Sequence, residues 1–143
     1  MDSDEKLLNE IYSNSVTAIN AISVLLKKVN EEKLYNCLFE QMLDYRKIAN
    51  EATKMLEERS KIPDRNASFV DKTAFYFAVN VVGMGRISTK RLVKILINGS
   101  NEGIFDIAKH INACTDAGQK SRFLAYSLID TEEKNINKMN EFL

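Results

Sequence analysis

The chain has 143 residues, 45% of them hydrophobic, with 20 Lys and Arg balanced by 20 Asp and Glu. That length fits one domain, residues 1–143, with a core that needs no disulfide or metal staple, and the even charge lacks the basic excess that nucleic-acid phosphates demand. The start, Met1-Asp2-Ser3-Asp4-Glu5, is acidic where a secretory leader is basic, and no apolar run approaches the ~18 residues of a membrane span. The expectation is a cytoplasmic protein with neither nucleic-acid nor membrane partners. Cys37 and Cys114 lack C-x-x-C spacing, so a metal knuckle or redox motif is not expected.

Taken in chain order, the first helix should run from Ser3 or Asp4 to Val29, with a break at Asn30-Glu31. Its seam, Leu8, Ile11, Ser15, Ala18, Ile22, Leu25 and Val29, alternates steps of three and four, as one buried helix face requires. A second helix, from about Glu32 to Arg59, repeats that spacing in Leu34, Leu38, Gln41, Tyr45, Ile48, Ala52 and Met55. Then comes Pro63, the single proline, inside the loop-like stretch Pro63-Asp64-Arg65-Asn66-Ala67-Ser68.

A shorter apolar helix is predicted from Val70 to Met84, ended by Gly83 and Gly85. Phe69, Phe75, Tyr76, Phe77, Val79, Val81 and Val82 make it apolar on more than one face, which suits a bundle contact on one side and a subunit interface on the other. Ser88 reads as the N-cap of a third long helix reaching Ala113. A turn over Thr115 to Lys120 leads into a fourth that ends at Leu143.

The two halves echo each other. When Leu8 is laid on Val93, Ser15 falls on Ser100, Ala18 on Gly103 and Ile22 on Ile107; when Leu38 is laid on Ala125, Tyr45 falls on Glu132. Two similar helical hairpins follow, joined by about 28 residues, far more than the ~2–8 of a tight inter-helix turn. Such a connection suits a crossover, which would make the second and third helices parallel and hold Cys37 and Cys114 at opposite ends.

With two hairpins and a crossover, the chain resembles the ferritin-like superfamily, and most closely a group of uncharacterised bacterial ferritin-like proteins. The resemblance rests on Leu8-Asn9-Glu10-Ile11-Tyr12-Ser13-Asn14, on Gln41 with Tyr45, on Ile97-Asn98-Gly99-Ser100-Asn101-Glu102-Gly103-Ile104, and on Glu132-Glu133-Lys134-Asn135-Ile136 with Phe142-Leu143. It implies an all-α, ferritin-like four-helix bundle with a short extra helix in the crossover. Di-iron members of that superfamily carry a Glu on the first helix of each hairpin and a Glu-x-x-His on the second. Thr17 or Ala18 stands at the first of those places, Tyr45-x-x-Ile48 at the second and Glu132-x-x-Asn135 at the last. Only Glu102 and Glu132 remain as weak metal-ligand candidates, and the sole histidine, His110, lies too far along its helix to join them. No di-iron site, and no other cofactor, is expected.

A central polar layer is expected instead, built from Ser15, Gln41, Tyr45, Ser100, Glu132 and Asn135. Burying Glu132 in ionised form costs several kcal/mol unless donors reach it, and Tyr45 is the natural donor. Gly99, Ser100 and Gly103 keep the third helix thin at that level. His110 reads as a satisfied, half-exposed histidine. With no nucleophile in a recognisable turn and no phosphate loop, the expected function is non-catalytic: a bundle that self-associates as a homodimer or another homo-oligomer, or that binds a protein partner. The alternatives are a metal-binding protein or oxidase with a non-standard carboxylate site, and a carrier for a small apolar molecule beside Gly99 and Gly103.

Overall fold

The computed structural model describes residues 2–64 and 85–143, which form four α-helices: α1 Ser3–Leu26, α2 Glu32–Glu57, α3 Thr89–Ala113 and α4 Gln119–Asn140. The short apolar helix expected over residues 70–84 lies outside the described residues. No described helix is long and apolar enough to cross a membrane.

Three of the four described helices begin at a side-chain cap, and α2, which starts after Glu31, has none. Asp2 accepts the Glu5 amide hydrogen at 2.8 Å and opens α1, while Ser88 accepts that of Arg91 at 3.2 Å and opens α3. Gly118 precedes α4 and has no side chain to offer, so the cap comes from another helix. Asp4 of α1 accepts the Gly118 N–H at 2.8 Å and the Ser121 hydroxyl at 2.7 Å, and Arg59 lies 3.1 Å from the same carboxylate. Burial opposes ionisation of Asp4, yet the Ser121, Gly118 and Arg59 contacts outweigh it and hold the carboxyl below its usual range. The first helix stops at Leu26 instead of Val29, because Lys28 and Val29 turn their N–H groups to carbonyls only three residues back, those of Leu25 and Leu26. The second stops two residues short of Arg59. There Ser60 takes a left-handed φ of 59°, and the Lys61 N–H reaches back to the Leu56 carbonyl at 2.9 Å.

Cross-helix contacts set the directions. Arg59 near Asp4 and Lys61 near Glu5 join the end of α2 to the start of α1, as an antiparallel hairpin requires. Asn14 with Asp106 and Glu10 with His110 make α1 and α3 antiparallel. Tyr45 with Glu132, and Lys33 over the Phe142 ring, do the same for α2 and α4. It follows that α2 and α3 run parallel, so Cys37 beside Lys138 and Cys114 beside Lys6 lie at opposite ends, and both thiols are free. The core between the helices is made by Leu8, Ile11, Ile22, Leu25, Leu38, Leu56, Val93, Ile107 and Leu128, each 2% exposed or less. These are largely the seam positions, and their burial is the main stabilising term.

Candidate functional site

Midway along the bundle the apolar core gives way to a polar layer, at the level where α3 is thinnest. Glu132 of α4 is 3% exposed, and Tyr45 of α2 donates its hydroxyl hydrogen to the Glu132 carboxylate at 2.8 Å. Asn135, one turn on, donates its amide to the Tyr45 oxygen at 3.0 Å. Burial drives the Glu132 carboxyl up to about 7, with the Ser100 and Tyr45 hydroxyls pulling against it. Burial together with the neighbouring carboxylate lifts the Tyr45 phenol well above its ordinary value, so the tyrosine acts as a donor and stays neutral.

Not every expected member joins this layer. Ser15 is fully buried but turns its hydroxyl to the Ile11 carbonyl of its own helix at 2.8 Å, the usual local outlet for a mid-helix serine. Gln41 directs its amide to the Cys37 sulfur at 3.6 Å and does not reach Glu132 through it. Asn135 reaches Glu132 only through Tyr45. Glu102 is a further correction: it is exposed, and its neighbour Gly103 faces the carboxylate instead. Glu102 and Glu132 therefore form no pair, for a one-residue step turns a helical side chain by about 100°.

Beside the layer lies a cavity of about 40 Å³ bordered by residues of all four helices, among them Asn14, Thr17, Gln41, Ser100, Gly103 and Glu132. A methyl group on Gly103 would come within 3.1 Å of Glu132 Oε1 and 3.6 Å of Asn14 Oδ1. Asn14 is 2% exposed, and among the described residues its Oδ1 has no hydrogen-bond partner, nor has the Oγ1 of Thr17. The Asn14 amide nitrogen points the other way, donating to the Glu10 carbonyl and to Asp106 Oδ2, both at 2.9 Å. Asp106 leads on to His110, whose Nδ1 lies 2.8 Å from the Asp106 carbonyl and whose Nε2 lies 3.5 Å from Glu10 Oε1. One carboxylate oxygen of Glu10 is buried without a partner among the described residues, and burial raises the Glu10 carboxyl despite the attraction of His110.

Asn14, Asp106 and Glu10 are the residues that seam spacing missed. They sit one position off the seam, on the flank where α1 meets α3, a contact that neither helix reveals alone. His110 was legible as half-exposed and satisfied, but not the identity of its partners.

The arrangement defines a four-helix bundle with a buried carboxylate, that of Glu132, at its centre. No protein-family model and no curated protein matches the sequence. Among solved structures, the chain is similar to a DUF305 fragment from Deinococcus radiodurans, with a TM-score of 0.71 and 12% identity over 99% of this chain and 95% of that one. At that identity the likeness speaks for the fold alone.

Proposed function

We propose that the protein is a non-catalytic, ferritin-like bundle that acts by pairing with a second copy of itself through the outer face of α2. The ferritin-like reading draws support from the parallel course of α2 and α3, which calls for a long crossover between them. The pairing reading rests on one observation: Tyr35, Phe39 and Leu43, at steps of four along α2, are exposed by 43%, 43% and 40%. At 100° per residue, Glu32, Tyr35, Phe39, Leu43 and Arg46 fall within about 80° of one face, and Glu32 and Arg46 are exposed as well.

That face is self-complementary. If two copies of α2 pack antiparallel about a two-fold axis through Phe39, Tyr35 of each chain meets Leu43 of the other and Glu32 meets Arg46. This is the reciprocal contact an isologous dimer requires. Aromatic residues at the centre and charges at the rim follow the usual anatomy of a protein interface. The test is the molecular mass in solution of the wild type against Phe39→Glu, which places two carboxylates on the axis. A wild type with the mass of one chain at every concentration would defeat the reading.

A second reading, metal binding through a non-standard ligand set, is favoured by Glu10, Asp106 and His110, which each offer a ligand atom within 4.8 Å of the others. A carboxylate pair with one imidazole suits a borderline divalent ion such as zinc. Zinc titration of the wild type and of His110→Ala separates it from the first reading, since only metal binding needs the imidazole. The carrier reading gains nothing from the central cavity, because about 40 Å³ lies far below the ~300–1,000 Å³ of small-molecule pockets.

A further inference from the structure

The central cavity is bordered by the side-chain oxygens of Asn14, Thr17, Ser100 and Glu132. Both amide hydrogens of Asn14 are spent, one on the Glu10 carbonyl and one on Asp106, so its Oδ1 can only accept. Turning the amide over would set that oxygen against the same carbonyl and carboxylate, which fixes the orientation. Across Gly103 stands Glu132 Oε1, the carboxylate oxygen that Tyr45 does not engage. Among the described residues Asn14 Oδ1 is left without a donor, while Glu132, which takes hydrogens from Tyr45 and Ser100, borders the same small space with the unpartnered Thr17 hydroxyl on its wall. Leaving the Asn14 oxygen unpaired is costly, and a cation between it and the carboxylate removes that cost.

We propose that this cavity is a binding site for one dehydrated alkali-metal cation, sodium or potassium, held by Glu132, the Asn14 side-chain carbonyl, and the hydroxyls of Thr17 and Ser100. The ligands are all hard oxygens, with no thiol or imidazole at the cavity, a set that suits alkali and alkaline-earth ions over transition metals. Charge then selects among the hard cations. Among the described residues the cavity has one carboxylate, so a monovalent ion leaves it neutral, whereas a divalent ion would leave a net positive charge there. The volume agrees, since about 40 Å³ admits roughly one to three water-sized particles. Gly103 is part of the cradle: any side chain there projects between Glu132 and Asn14. A mid-helix glycine costs about 1 kcal/mol against alanine, and the open cradle is what the chain gains from it.

The experiment compares thermal unfolding in sodium chloride, potassium chloride and choline chloride at equal ionic strength, since choline is too large for the cavity. The expected result is a higher midpoint in one or both alkali salts, rising with the logarithm of their concentration as specific binding to the folded state requires. Gly103→Ala and Glu132→Gln should lose that rise, with affinity reduced at least about tenfold, a change of ~1.4 kcal/mol. Sodium-23 relaxation on the wild type provides a readout that needs no variant: saturable broadening relieved by potassium marks potassium as the preferred ion, and broadening that potassium does not relieve marks sodium. Identical midpoints in all three salts together with no saturable sodium-23 broadening would overturn the proposal and leave the cavity to water and a protonated Glu132.

Discussion

Replacing Glu132 by glutamine should flatten a pH dependence of stability that one buried carboxyl creates. In the folded chain that carboxyl is driven up to about 7 from an ordinary 4.5. Between those values the folded state keeps a proton that the unfolded state has released, so stability falls as the pH rises. The contribution is fully present below about pH 4.5 and is lost as the pH passes through 7. Two and a half units at 1.36 kcal/mol each amount to about 3 kcal/mol. At roughly 2–4 °C per kcal/mol for a domain of this size, the midpoint should drop by about 6–12 °C across that window. The assay is denaturant or thermal unfolding of wild type and Glu132→Gln from pH 4.5 to 8 in choline chloride, where no alkali cation competes with the proton. The difference between the two proteins isolates Glu132 from every other titrating group. A difference that stays constant across that range would mean the carboxyl ionises as an exposed one does, and the buried layer would have to be abandoned.

Three other substitutions probe the same structure. Tyr45→Phe removes the donor to Glu132 and the acceptor for Asn135; it should cost about 1–3 kcal/mol in denaturant unfolding, more above pH 7 than below, because the ionised carboxylate needs the hydroxyl most. Asp4→Ala takes away the cap that α1 lends to α4 and should cost about 1–2 kcal/mol near neutral pH, with little difference from wild type once the pH is below the depressed pKa of Asp4. Ser60→Gly relieves a left-handed residue at the end of α2 and should stabilise by roughly 1 kcal/mol, measured as a higher denaturant midpoint with an unchanged slope.

The helices were legible because their seams follow a period that folding preserves. Leu8, Ile11, Ile22, Leu38, Ile107 and Leu128 are buried where three-and-four spacing places them. Helix ends were less legible, since they depend on capping from elsewhere: α4 begins where a carboxylate of α1 reaches it, and nothing within the Thr115 to Lys120 stretch announces that. The site was legible in part. Glu132 interrupts an apolar seam, and Tyr45 is its neighbour across the bundle, so the pairing could be reasoned from spacing alone. Ser15 misled because a serine inside a helix can satisfy itself on the preceding turn, leaving no signature that separates it from a cross-helix donor. Asn14 was hidden for the opposite reason, since its role arises from Asp106 on a helix far away in sequence.

Self-pairing through α2 is tested most directly by sedimentation equilibrium, across a range of concentrations, on the wild type and three charge variants. A chain of 16.3 kDa should sediment at about twice that mass. Arg46→Glu, which sets a carboxylate against Glu32 of the second copy, should shift it toward a single chain, and so should Glu32→Arg, which opposes two arginines. The double variant carrying both changes restores opposite charges across the axis and should recover the two-chain mass. A wild type that sediments as one chain throughout, or a double variant no more associated than either single one, would contradict the antiparallel α2 pairing.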